Sequence, residues 1–199
     1  MARPRKTDTP AREKILAAAR DLFFHQGYHR TGINQLIEAA GVSKASFYDQ
    51  FPSKEDLAVA YVRENAAQAL RLIRDALASR QDPMERYLAF QEVMRAYLIE
   101  TDFRGCAFSN IAREFPDLDS PVRREVIELE DRSRALLRET VQALFDSNPQ
   151  AFANHRLSVD EVTDRYYLLI DGAINASANY HAAWPFAILE PAARDLVAR

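Results

Sequence analysis

The sequence has 199 residues, with 5 glycines, 32 alanines and a single cysteine, and 48% of its residues are hydrophobic. So few glycines argue against an all-β sandwich and against a glycine-rich nucleotide-binding fold, while the apolar fraction excludes global disorder. One cysteine excludes a disulfide framework and a cysteine-based zinc site. The net charge of −3 is unevenly divided, because residues 1–54 carry nine basic and five acidic side chains, whereas residues 55–199 carry 17 and 24. Such a basic N-terminal part is expected where one end of a protein meets a polyanion.

The N-terminus predicts a flexible basic arm rather than a targeting signal. Residues 1–8 are polar and without periodicity, and no apolar stretch of the kind found in a signal peptide follows them. The longest uncharged run, Gly172 to Leu189, contains two asparagines, a histidine and a proline, which makes it a poor membrane span. We therefore expect a soluble, cytoplasmic protein.

Three short helices are predicted after the arm. The first spans about residues 10–26, begins at the start signal Thr9-Pro10 and ends at Gly27. The next two span residues 33–40 and 44–50 and are joined by a sharp turn that contains a glycine. Two short helices joined in this way form a helix-turn-helix pattern.

Longer helices are predicted in the rest of the chain, several of them behind capping signals such as Ser53 with Asp56 and Ser158 with Glu161. The predicted fold is all-α, with about nine helices. A three-helix helix-turn-helix head precedes a larger helical bundle. The predicted domains are the arm (1–8), the head (9–53) and the bundle (54–199). The helices of the bundle are expected at about 54–79, from Pro83 onward, at 105–115 and 121–146, from Val159 onward and at 186–198, with a loop at 147–157.

Residues 33–57 read INQLIEAAGVSKASFYDQFPSKEDL, and Gly27, Tyr28 and Thr31 precede them. Over about residues 12–58 the sequence resembles the DNA-binding head of the TetR/AcrR-type bacterial transcriptional repressors. It departs from their pattern at three positions. Ala45 stands where glycine is common, Phe47 where leucine is common, and Asp49 where histidine or tyrosine is common.

The resemblance implies a homodimeric regulator that binds double-stranded operator DNA and is released by a small-molecule effector. The second helix of the helix-turn-helix should lie in the major groove, with Phe47 packed in the core. Tyr48 is expected to donate to a phosphate, or else to be a half-buried aromatic. Lys54 is expected to neutralise a phosphate, or else to be a solvated lysine. The predicted DNA-binding residues are Thr31, Gln35, Ser43, Lys44, Ala45, Ser46, Tyr48 and Lys54.

Two further features of the head leave alternatives open. Asp49 would be repelled by a phosphate if it faced the DNA backbone, and it would instead accept a hydrogen bond if it met a cytosine amino group. The basic side chains of the arm, Arg3, Arg5 and Lys6, either reach a groove or remain solvated.

The middle of the bundle is expected to hold the effector. Aromatic and methionine side chains suit an apolar ligand, although such a stripe at helical spacing also forms plain core. Cys106 is predicted in the first turn of a short helix, where the helix dipole favours a thiolate, on one face with Asn110 and Glu114. It is either a sensor of electrophiles or oxidants, as in some relatives, or a small buried apolar residue. The predicted effector-binding residues are Phe90, Met94, Tyr97, Cys106, Phe108, Asn110 and Tyr166.

The dimer contact is predicted at the small-residue patch Gly172–Ala178 and the last helix, through Ala173, Ser177, Phe186 and Leu189. The alternative is that this patch serves a contact within one chain.

No cofactor, metal or catalytic residue is predicted. No histidine has a glutamate three residues before it, and no metalloprotease, phosphate-loop or serine-hydrolase motif is present. Other functions left open are a helical adaptor that uses the charged segment Arg123–Arg138, and a DNA-binding protein that senses nothing.

Overall fold

A computed structural model describes residues 10–198, and within that range the chain forms ten helices and no strand. This confirms the predicted all-α fold. The predicted arm, including Arg3, Arg5 and Lys6, lies outside the described residues. The helices are α1 (Ala11–Gln26), α2 (Ile33–Ala40), α3 (Lys44–Gln50), α4 (Lys54–Ala78), α5 (Pro83–Glu100), α6 (Ala107–Glu114), α7 (Pro121–Ser147), α8 (Pro149–Phe152), α9 (Val159–Tyr180) and α10 (Trp184–Leu196).

Several helices begin where a side chain accepts a hydrogen bond from a free backbone N–H group. Asp82 accepts from Glu85 N at the start of α5, and Ser158 forms a capping box with Glu161 at the start of α9. Three local predictions were wrong. Pro10 occupies the N-cap of α1 and not its first turn, the predicted loop at 147–157 contains α8, and Trp184-Pro185 begins α10. A proline fits the first turn of a helix because that turn needs no N–H donor.

The chain divides into two compact units. The head unit comprises the described residues up to Asn65 together with Ala107–Val126, and the body unit comprises Ala66–Cys106 together with the residues from Ile127 onward. None of the helices described here is long and apolar enough to cross a membrane.

The core of the head unit forms where α1 packs on α2, α3 and α6. Phe47 is 0% exposed, which confirms its predicted core position, and Leu36 is equally buried. Ile111 and Val122 belong to the same hydrophobic cluster, although they follow the helix-turn-helix by about sixty residues or more. The helix-turn-helix is therefore supported by a later segment of the chain.

The core of the body unit forms between α5, α9 and α10. The rings of Tyr87 and Tyr166 pack with their centroids 4.6 Å apart, and the Tyr87 hydroxyl donates to Ala193 O at 2.9 Å. Burial raises the pKa of both phenols above its ordinary value, so both hydroxyls stay neutral. On the outside of the unit, Arg138 of α7 donates to Asp160 of α9 at 2.6 Å.

Candidate nucleic-acid interface

The turn between α2 and α3 is short because one glycine reverses the chain. Gly41 has φ of 61°, in the left-handed region that L side chains rarely adopt, and its N–H donates to Glu38 O. Two residues later Ser43 begins α3, and its hydroxyl oxygen accepts from Ser46 N at 3.0 Å. The predicted helix-turn-helix is thus present, and Ser43 and Ser46 are joined to each other by the cap and by a hydroxyl-to-hydroxyl bond of 3.0 Å.

One side of α3 faces outward. Lys44 and Ala45 are exposed, Tyr48 is 40% exposed, and Asp49 is also exposed. These four positions fall on one side of a helix with 3.6 residues per turn, opposite the buried Phe47. Its seven residues make α3 only about 10 Å long, so its whole length fits across a major groove.

Lys54 binds backbone carbonyl groups of the head unit, which the sequence analysis did not predict, and its contact with a phosphate stays a prediction. Its ammonium donates to Tyr28 O and Thr31 O, at 3.0 Å each, and lies 4.1 Å from the centroid of the Tyr28 ring. Burial lowers the pKa of Lys54, and the charge of Glu114 opposes that shift. An ammonium has three N–H donors, and these two bonds use two of them. One donor is therefore left for a phosphate.

Two of the predicted DNA-binding side chains form bonds within the head unit. Thr31 is 1% exposed and its hydroxyl donates to Gly27 O at 2.7 Å, which corrects its assignment because a buried hydroxyl has no access to a phosphate. Gln35 is half-buried and its amide donates to Gln26 Oε1 at 2.9 Å.

The sequence analysis missed a second exposed feature at the start of α2. The N-cap of α2 is Gly32, which has no side chain to accept from the first N–H groups, and its first turn contains no acidic residue. Arg30 is exposed two residues earlier. Uncapped N–H groups at a helix N-terminus favour an anion. Gly32 and the lack of acidic residues in the first turn of α2 are visible in the sequence, and they are the signal that could have revealed this feature.

Comparison with known proteins shows which family this helix-turn-helix resembles. Residues 15–61 match the sequence pattern that defines the "Bacterial regulatory proteins, tetR family". The N-terminal part of the chain is thus a TetR-family helix-turn-helix domain. The matched segment runs from α1 into α4 and includes both helices of the helix-turn-helix.

Curated relatives match a little over half of this chain. The HTH-type transcriptional regulator LmrA of Bacillus subtilis is 37% identical over 115 residues, which are 57% of this chain and 61% of LmrA. The HTH-type transcriptional repressor NemR of Escherichia coli is 30% identical over 119 residues, 59% of this chain and 60% of NemR. The aligned part therefore spans about three fifths of these relatives.

Solved structures resemble the chain over nearly its whole length. A TetR-family transcriptional regulator from Streptomyces coelicolor has a TM-score of 0.80 at 24% identity, and covers 96% of this chain and 95% of its own. Escherichia coli NemR in its reduced form has a TM-score of 0.77 at 23% identity, with coverages of 94% and 97%. At these identities the likeness shows the fold.

The predicted effector-binding residues are divided between the two units. Phe90 and Tyr166 are buried in the body unit, and Met94 and Tyr97 are half-buried on α5. Phe108 and Asn110 belong to the head unit instead, and Phe108 packs against the hydrophobic cluster of that unit.

Cys106 lies just outside the helix in which it was predicted. Cys106 is half-buried and immediately precedes α6, whereas the sequence analysis put it in the first turn of that helix. Glu114, which was predicted to share a helix face with Cys106, binds backbone N–H groups of Tyr28 and His29 in the head unit.

The four residues predicted for the dimer contact are buried within a single chain. They are Ala173 and Ser177 of α9 and Phe186 and Leu189 of α10, and α9 packs on α10 in the same chain. The exposed apolar side chains of the same two helices are different ones: Leu168, Leu169, Tyr180, Trp184 and Ile188.

Proposed function

We propose that this chain is a homodimeric DNA-binding transcriptional regulator, a repressor that a small-molecule effector releases from its operator. The observation that carries the proposal is the outward side of α3, where Lys44, Ala45 and Tyr48 are exposed on a helix anchored by the buried Phe47. A recognition helix of this kind reads base edges from the major groove. Such a protein acts in the bacterial cytoplasm, where its operator is.

The contacts with DNA divide into reading and positioning contacts. Lys44 can donate to guanine, and the methyl group of Ala45 suits the methyl group of thymine. Tyr48, Arg30 and the uncapped N–H groups of α2 are suited to phosphates, which carry no sequence information. Because each neutralised phosphate releases counterions, the affinity for DNA should fall steeply as the salt concentration rises.

A second copy of the chain is proposed to cover the exposed apolar side of α9 and α10. Leu168 is 68% exposed and Ile188 is 60% exposed, and Tyr180 and Trp184 are exposed beside them in sequence. Large exposed apolar side chains on neighbouring helices mark an interaction surface. The closed symmetric dimer is the commonest assembly, and two heads held apart by a dimer match two half-sites of an operator.

The effector is proposed to bind in the core of the body unit, beside Phe90, Met94 and a polar group that the sequence analysis missed. Gln91 is 4% exposed, and among the described residues its Oε1 atom has no hydrogen-bond partner. A buried acceptor without a donor costs free energy, and a ligand that brings a donor would remove that cost. The effector class that fits is therefore a largely apolar molecule with at least one N–H or O–H group.

Cys106 supports a second effector class, the thiol-reactive electrophiles and oxidants. It lies directly before α6 and is only partly buried, which is compatible with attack by a small reagent. A solved relative, Escherichia coli NemR, is described in its reduced form, so at least one family member has a state defined by reduction.

Binding to selected DNA tests the whole proposal. The wild-type protein should enrich duplexes with a two-fold repeat from a random library at low salt. Alkylation with N-ethylmaleimide should release that DNA if Cys106 is the sensor, and a Cys106→Ser variant should then be insensitive. Indifference to every duplex at low ionic strength would reject the function and favour the adaptor. Release that persists in Cys106→Ser would dismiss the thiol alone.

A further inference from the structure

The turn between α1 and α2, residues 27–32, needs partners from elsewhere in the chain. Within this turn the one backbone hydrogen bond described is from Thr31 N to Tyr28 O, at 3.2 Å. The N–H groups of Tyr28 and His29 and the carbonyl group of Thr31 have no partner within the turn, and backbone polar groups of folded proteins are rarely left unpaired. This turn leads directly into α2 and so sets where the helix-turn-helix begins.

A single carboxylate supplies the acceptors. Glu114, the last residue of α6, accepts from Tyr28 N at 2.8 Å with one oxygen and from His29 N at 2.7 Å with the other. The backbone carbonyl of the same residue lies 2.8 Å from His29 Nε2. Hydrogen bonds to an ionised acceptor are shorter and stronger than neutral ones, and here two of them are made by one side chain 86 residues further along the chain.

The shape of the turn matches this carboxylate. Gly27 has φ of 89°, and a Cβ atom at this position would lie 3.0 Å from Glu114 Oε1. A side chain at residue 27 would therefore strain the backbone and push the carboxylate away. The ring of Phe115, the residue after Glu114, packs on Tyr28 with centroids 4.6 Å apart.

A positively charged side chain, Lys54, binds the carbonyl groups of the turn. The ammonium of Lys54 donates to the carbonyl groups of Tyr28 and Thr31, so that the turn lies between a carboxylate on its N–H groups and an ammonium on its C=O groups. Both charged groups come from other elements, α6 and the start of α4, and all of these residues belong to the head unit.

We propose that Glu114 is a positioning residue for DNA binding, which holds the turn at residues 27–32 so that the start of α2 and Lys54 meet the phosphates together. The inference rests on the proposed function, since it assigns the work of Glu114 to the docking of the head on a duplex. It also extends the DNA-binding machinery to α6, which lies outside the segment that matches the family pattern.

The test compares Glu114→Ala and Glu114→Gln with Glu125→Gln. Glu125 is a matched control because it is another glutamate of the head unit with a charged hydrogen bond, to Arg63, but it does not touch the turn. Affinity is measured by fluorescence anisotropy at several salt concentrations on a labelled duplex selected by the wild-type protein. Hydrogen exchange of the peptide that contains residues 28 and 29 is followed in parallel, well below the melting temperature.

Glu114→Ala should weaken DNA binding at least tenfold and lower the slope of log affinity against log salt by about 0.9 for each phosphate that the head no longer neutralises. Glu114→Gln keeps one acceptor oxygen and should give an intermediate effect, and it serves as the main variant if Glu114→Ala does not fold. The amides of residues 28 and 29 should exchange at least tenfold faster. Glu125→Gln should bind within twofold of the wild type with an unchanged slope.

An unchanged salt slope in the Glu114 variants would overturn the inference, because a general loss of folded protein lowers the active fraction but not the slope. Amides that stay as protected as in the wild type would overturn it as well. A wild-type protein that selects no duplex would instead reject the proposed function and remove the DNA role of Glu114. The exchange data would still show in that case whether the carboxylate holds the turn.

Discussion

The two units of the chain present opposite kinds of surface. The outward side of α3 in the head unit carries a lysine, a tyrosine and an aspartate, whereas the outward side of α9 and α10 in the body unit carries leucine, tryptophan and isoleucine. A charged polymer with a hydrated backbone suits the first surface, and an apolar face of another protein suits the second. Under the proposed function each surface serves a different partner, so substitutions on one surface should remove one partner and leave the other.

The largest effect is expected from charges on the apolar surface of the body unit. The double variant Leu168→Glu and Ile188→Glu should turn dimers into single chains, because burying two carboxylates without partners is strongly unfavourable. Sedimentation velocity should show the monomer, and DNA affinity should fall more than 100-fold because only one half-site is then held.

Leu72→Glu is the matched control for that variant. Leu72 is an exposed leucine of the body unit that lies on α4 and not on α9 or α10. It should leave both the dimer and the DNA affinity unchanged. A double variant that still sediments as a dimer would place the contact between copies elsewhere.

The next largest effect is expected on the polar surface of the head unit. Lys44→Ala should weaken binding to the selected duplex about tenfold and relax the preference at one base position, because a lysine that reads guanine is worth roughly 1–3 kcal/mol. Competition between duplexes that differ at single positions measures this. Equal weakening on every duplex, together with a salt slope lower by about one, would instead make Lys44 a phosphate contact.

A change of specificity rather than of affinity is expected at Asp49. Its carboxylate is exposed in the last turn of α3, where the helix dipole disfavours a negative charge, so the fold gains nothing from it there. Asp49→Asn should shift the preferred base at one position of each half-site from cytosine towards adenine. Sequencing of duplexes selected by each protein decides it, and an unchanged preference would mean that Asp49 does not read a base.

The smallest effect is expected in the core of the body unit. Gln91→Leu removes a buried acceptor that has no donor among the described residues, and should raise the stability by about 1 kcal/mol, or roughly 2–4 °C in melting temperature. The control Gln142→Leu removes a side chain that donates to Asp146 and should bring no gain. Calorimetry without any ligand measures both, and a destabilised Gln91→Leu would mean that its oxygen has a partner in solution.

Local signals were enough to predict the helices and the helix-turn-helix. Ser43, Asp82 and Ser158 are capping residues whose partners lie three positions away, and Phe47 is buried by neighbours in the same short motif. These interactions are set by sequence spacing of a few residues, so the sequence shows both partners at once.

Distant partners were not predictable in this way. The burial of Thr31 and the inward bonds of Lys54 depend on how the turn at residues 27–32 folds back, and Glu114 reaches that turn from far along the chain. The burial of the residues predicted for the dimer contact was not predictable for a related reason. Apolar residues follow helical spacing on α9 and α10, and spacing alone does not show that Ala173 and Phe186 are buried whereas Leu168 is exposed.

The distance along the chain between Glu114 and the turn also has a consequence for synthesis. A ribosome makes the helix-turn-helix early, but the carboxylate that completes it is added 86 residues after Tyr28. Domains near the N-terminus generally fold first as they emerge, yet this one remains unfinished until α6 has left the exit tunnel. The turn that leads into α2 therefore reaches its final form only after more than half of the chain has been made.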